Sequence, residues 1–128
     1  MKLLHITSVC AVLLLLTSCE EPSKAVPLIS YTQDVSPILQ THCLKCHNKN
    51  GEGYVKSGLN MESYASLMAG TKFGPIINPG NSLTSTLVIL INGKADPAIS
   101  MPHGSLHMLT EPERDTVALW IDQGAKDN

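Results

Sequence analysis

Aromatic residues are scarce in this chain. Its 128 residues include one Trp, three Tyr and one Phe, so its interior must be built mainly from aliphatic side chains or from something the chain binds. Cysteine is limited to four residues, too few for a disulfide-dense scaffold. Charge of one sign is lacking too. Nine Lys and Arg stand against eleven Asp and Glu, with no basic patch, so nothing points to nucleic acid. There are no internal repeats, and no alternating pattern supports a sizeable sheet. The one ambiguity is the β-branched content of residues 87–91.

One apolar run is present, at the N-terminus. Lys2 precedes a mostly apolar stretch over residues 3–16. It is too short to span a bilayer comfortably and has the shape of a secretory signal. The run closes on Leu16-Thr17-Ser18-Cys19, which resembles a bacterial lipobox. In that family of signals the peptide is cut before the cysteine, whose thiol receives a diacylglyceryl group. Glu20 in the next position, by the same resemblance, implies outer-membrane sorting. The expected organisation is a lipoprotein signal peptide at 1–18, a lipidated tether at 19–30 and one domain at 31–126. The tether carries two prolines and no apolar period, as a spacer would. Loss of Lys2 with the signal leaves eight cations against eleven anions over 110 residues.

The most informative stretch is Cys43-Leu44-Lys45-Cys46-His47. Its C-x-x-C-H spacing is that of a c-type haem attachment site. Two thiols three residues apart can each form a thioether to the vinyl groups on one porphyrin edge. The histidine after the second thiol falls beneath the iron as its proximal ligand. A zinc site would need a second ligand pair, and there is no other C-x-x-C, while His103 and His107 lack a nearby cysteine. A thioredoxin-like pair would need a surrounding α/β pattern, which is not there. Cysteine use also closes: Cys10 leaves with the signal, Cys19 takes lipid, and Cys43 and Cys46 take one covalent haem c. A domain this small without disulfides needs another staple, and the haem provides it.

The remaining pattern reads as helices joined by long loops. Val35, Ile38, Leu39 and His42 fall on one helical face, with Pro37 in the first turn and Asp34 or Ser36 as the cap. Residues 48–58 read as a Gly- and Lys-containing loop. A short helix is expected over 62–69, closed by Gly70. Another runs through Leu83, Leu87, Leu90 and Ile91 from a Ser82 cap to Asn92-Gly93. Thr110-Glu111-Pro112-Glu113 fits a capping box ahead of a helix with Val117, Trp120, Ile121 and Gly124 on one face. Trp120 reads as a helix-packing or haem-edge residue.

Met101-Pro102 falls in the loop before that last helix. A thioether there can approach the iron opposite His47, and methionine ligation raises the potential and suits electron transfer. Met101 is therefore the expected distal ligand, with His103, His107 and Met108 as alternatives. Met61 and Met68 fall where core packing uses them. Lys45, Lys49, Lys56 and Lys72 lie near the motif, as a docking ring around a haem edge or as scattered solvated charges.

Residues 31–126 resemble a class I monohaem cytochrome c, and more narrowly the planctomycete-type domains. The matching pieces are Val35-Ser36-Pro37-Ile38-Leu39, the C-x-x-C-H motif, and Ser57-Gly58-Leu59-Asn60-Met61. Further pieces are Gly74-Pro75 through Ser82, Ser100-Met101-Pro102-His103, and Leu109-Thr110-Glu111, ending at Trp120 to Ala125. His103 departs from the proline or small residue common there. The resemblance implies an all-α cytochrome c-like fold packed around one haem, His/Met iron and one-electron transfer without substrate turnover. A monomeric, exported, periplasm-facing carrier is expected, anchored to the cell envelope by lipid and served by a redox donor and acceptor protein. The rival expectation is a haem sensor or peroxidase-like enzyme with an open or displaceable sixth site. A third is an electron-accepting subunit of a dehydrogenase.

Overall fold

Short helices follow from a sequence cut every few residues by Gly, Pro and Asn. The computed structural model describes residues 25–103 and 108–128. The expected signal segment, Cys10, Cys19 and His107 lie outside those residues. A π-helical turn, Tyr31–Val35, runs into α1, Ser36–His42. Then come α2, Glu52–Ser57, and α3, Tyr64–Ala69. A 3₁₀ turn, Ser82–Thr84, precedes α4, Thr86–Ile91, and the chain closes with α5, Glu111–Asp122. No strand forms among the described residues; Thr71 and Gly74 make one isolated bridge. The fold is all-α and cytochrome c-like, as expected.

The N- and C-terminal elements hold one another. α5 packs on the Tyr31–Val35 turn and on α4. Val117, Trp120 and Ile121 are each at most 1% exposed, and Val35 and Leu67 are fully buried beside them. Tyr31, Tyr64 and Trp120 form an aromatic cluster, with Tyr31 5.2 Å from Tyr64 and 5.5 Å from Trp120. The polar tips are satisfied: Tyr64 Oη donates to the Ala125 carbonyl at 2.8 Å and Trp120 Nε1 to that of Lys126 at 2.9 Å. Thus three of the five aromatics sit in one nucleus. Main-chain bonds then tie the ends together, with Thr32 N–H donating to Asn128 O at 3.0 Å.

Local chemistry sets the boundaries. Thr110 caps α5 in a reciprocal box with Glu113, as expected. Gly70, with φ 78°, follows α3. Three expectations need correction. The first helix is capped by neither Asp34 nor Ser36. Ser30 Oγ accepts from Gln33 N–H, while Asp34 Oδ2 accepts from Ser30 N–H, so the cap is one turn earlier. Residues 48–58 are not wholly loop, because α2 occupies Glu52–Ser57, ending at Gly58 with φ 77°. Ser82 does not cap α4. Asn81 caps the 3₁₀ turn, Ser85 stands before α4, and Ser82 is committed to Asp122 through its N–H (2.7 Å) and Oγ (2.9 Å).

Candidate haem site

The C-x-x-C-H motif is wound tightly at the end of α1. Cys43 is its C-cap, donating to Leu39 O at 2.9 Å, and Cys46 and His47 N–H groups both return to Cys43 O. This winding puts residues 43, 46 and 47 on one cavity wall. Both thiols are free and half-buried. Burial, reinforced by the neighbouring Cys46, pushes the Cys43 thiol up to about 11, so it stays protonated at neutral pH.

His47 is buried and its ring is held from behind. Nδ1 lies 3.4 Å from the Leu59 carbonyl. A carbonyl only accepts, so that contact places the proton on Nδ1 and leaves the Nε2 lone pair for a metal. Burial lowers the affinity of the imidazole for a second proton; the Leu59 bond opposes this and the charge of His103 adds to it. The neutral, ligating form is therefore favoured. Met61 N–H donates to His47 O at 2.7 Å, anchoring the segment that carries Leu59.

Two glycines that carried no functional signal in the sequence complete this wall. A Cβ at Gly51 would lie 2.2 Å from Cys46 O. At Gly53 it would lie 2.8 Å from both Cys46 O and His47 Cε1, and 3.0 Å from Nδ1. Tyr54 N–H donates to Cys46 O at 3.1 Å, drawing α2 against the motif. Any side chain at these positions would push that helix off the ring.

The motif opens onto a cavity of about 880 Å³, at the large end of small-molecule and cofactor sites. Leu59, Met61, Ile76, Leu87, Leu90 and Ile91 supply apolar walls. A large cavity of this kind, with two thiols at haem spacing and one neutral imidazole, fits a flat apolar macrocycle bound covalently and ligated once by protein on the proximal side.

Two of the expected distal residues, Met101 and His103, also line this cavity. Met101 lines the cavity, half-buried, with its N–H donating to Leu90 O at 3.3 Å. His103 lines it as well but is exposed. Met108 is 58% exposed and does not line the cavity. His42 lines the rim, its Nε2 3.1 Å from Glu113 Oε1, joining α1 to α5. Met61 is buried, as expected, and faces the cavity too, whereas Met68 is partly buried against the core. Trp120 is absent from the cavity wall, so of its two expected roles helix packing is the one observed. Lys45, Lys49, Lys56 and Lys72 are all exposed; Lys56 reaches the cavity lining.

An all-α domain whose C-x-x-C-H motif opens onto an apolar cavity is that of a c-type cytochrome. The Planctomycete cytochrome C family model matches residues 43–103, from Cys43 to His103, just under half of the chain. The chain is 24% identical over 123 residues to hydrazine synthase subunit alpha of Kuenenia stuttgartiensis, covering 77% of this chain. It spans 15% of that protein's length. The solved hydrazine synthase from the same organism shares the fold, with a TM-score of 0.52 and 23% identity over 76% of this chain and 16% of its own.

Proposed function

We propose that this protein is an extracytoplasmic, lipid-anchored monohaem cytochrome c that passes single electrons between redox proteins of the cell envelope. The observation that carries this reading is the convergence of Cys43, Cys46, His47 and Met101 on one cavity. Haem c, once attached, supplies the Fe(II)/Fe(III) couple. Cys43 and Cys46 hold it by thioethers. His47 Nε2 ligates the iron, with its ring oriented through Nδ1 by the Leu59 carbonyl. Met101 Sδ is the distal ligand, raising the potential and closing the sixth position to exogenous ligands. The aliphatic walls exclude water and so limit reorganisation as charge changes. Cys19 carries the lipid, and the outer membrane is the destination that Glu20 favours. The protein makes no bonds in a substrate; its contribution is ligand geometry, exclusion of water and potential.

Two observations favour a second reading. His103 lines the same cavity as Met101, which suits a displaceable sixth ligand and sensing or peroxide chemistry. The relative of similar sequence is named as a subunit of a synthase, which suits a role within a larger enzyme assembly. Potentiometric titration of the matured protein and of Met101→Ala separates these. Loss of a methionine ligand should lower the potential and open the iron to carbon monoxide. An unchanged potential and spectrum in Met101→Ala would remove Met101 from the iron and bring His103 forward.

A further inference from the structure

Three of the large apolar side chains that stand exposed gather where the tether meets the domain. Val26 is 66% exposed, Leu28 71% and Leu83 82%. Two adjacent residues at the end of α5 bring them together. Gln123 Nε2 donates to Pro27 O at 2.8 Å and its Oε1 accepts from Ile29 N–H at 2.8 Å, fixing the strip that presents Val26 and Leu28. Asp122 takes both donors of Ser82, fixing Leu83 beside the same helix end. None of the three lines the haem cavity, so haem does not cover them.

We infer that this end of α5 is the face the domain seats on the bilayer, with Val26, Leu28 and Leu83 inserted at the lipid interface. The inference rests on the lipid anchor at Cys19. Val26 lies seven residue steps after Cys19, which at roughly 3.3–3.6 Å per extended residue reach no more than about 25 Å. The anchor therefore keeps this end, and not the opposite one, next to the membrane. Apolar side chains held at an interface by a neighbouring lipid anchor add buried apolar area to its hold. Some of the carboxylates at this end are engaged within the fold: both Asp122 oxygens are taken by Ser82, and Asp34 Oδ2 accepts from Ser30 N–H.

The seating fixes where the electron goes. α5 has twelve residues, about 18 Å of helix. Its first turn holds Glu113 against His42 at the cavity rim, while its last turn holds the apolar patch. The haem cavity is thereby turned away from lipid, towards a water-borne partner.

Neutron reflectometry of the full, haem-loaded, lipidated chain on a supported bilayer of phosphatidylethanolamine and phosphatidylglycerol tests this. The domain is expected to contact the headgroups with no intervening water layer. Leu28→Ser with Leu83→Ser, both at exposed sites, is expected to open a hydrated gap while leaving the haem spectrum unchanged. Identical profiles for the two proteins overturn the seating. A dimer in detergent solution that the double substitution dissolves overturns it as well, because the patch then belongs to a second copy. The mass of the Cys19 peptide reads the anchor separately. An acylated peptide with identical profiles sinks the patch alone, and an unacylated one sinks the anchor beneath it.

Discussion

Gly53 lies against the back of the His47 imidazole, so close that a single methyl group there would stand 2.8 Å from Cε1 and 3.0 Å from Nδ1. The Leu59 carbonyl meets the same edge of the ring at 3.4 Å. Together they hold the His47 ring in one orientation. Ring orientation and the hydrogen bond behind it tune a metal centre as surely as ligand identity does.

Gly53→Ala should therefore tilt His47 or drive α2 away from the motif. Overpacking of this kind costs about 1–3 kcal/mol, measurable as a fall in the denaturation midpoint. A purely structural glycine would show only that. The account also expects a shifted reduction potential and altered electron paramagnetic resonance g-values of the ferric protein. Unchanged g-values would mean the ring does not feel Gly53.

Covalent attachment is tested by removing the thiols. Cys43→Ser or Cys46→Ser alone should retain haem through one thioether, with the alkaline pyridine haemochrome band shifted to longer wavelength for the remaining vinyl group. The double variant should release haem into acidified organic solvent. Retention of haem by the double variant under those conditions would contradict the thioether assignment.

Acid stability should depend on Glu113. Its carboxylate accepts from the Thr110 N–H at 2.7 Å and the Thr110 hydroxyl at 2.8 Å, and its other oxygen meets His42 Nε2 at 3.1 Å. Thr110's backbone, then its hydroxyl, then His42 hold this carboxyl below its ordinary range. A depressed folded-state value contributes stability that is present above the ordinary Glu range, near ~4.3. That contribution is lost as the pH falls towards the folded value. Glu113→Gln should flatten the acid limb of a melting-temperature profile, and Thr110→Ala should cost about 1 kcal/mol. Superimposable acid limbs for wild type and Glu113→Gln would refute the role.

Trp120→Ala should destabilise by about 3–5 kcal/mol, the range for deleting a buried aromatic. Trp120→Phe should keep the potential of the wild type, because Trp120 packs on Tyr31 and does not line the cavity. A potential that moves with Trp120→Phe would return this residue to the haem edge.

Much of the site was legible because its chemistry is written in short spacings. Cys43, Cys46 and His47 are neighbours in sequence, so no tertiary knowledge was needed to join them. Thr110 and Glu113 declared α5 in the same local way. What stayed hidden depends on approach between distant segments. Gly51 and Gly53 looked like loop glycines, yet their lack of side chains admits α2 against Cys46 and His47. A six-residue helix offers too little periodicity to outweigh two glycines in the count, so α2 was read as loop. Ser82 has a capping residue's chemistry but spends it on Asp122, forty residues away, where no local pattern could show it. His42, read only as the last apolar-face position of a helix, meets Glu113 because α1 and α5 converge at the cavity.

The central claim is that His47 and Met101 both ligate one haem. The most direct measurement is the visible spectrum of the matured protein, with and without carbon monoxide on the reduced form. A low-spin spectrum, with the sulfur-to-iron charge-transfer band in the ferric state and no response to carbon monoxide, is predicted. A high-spin spectrum, or rapid carbon monoxide binding, would contradict it and show an open sixth site.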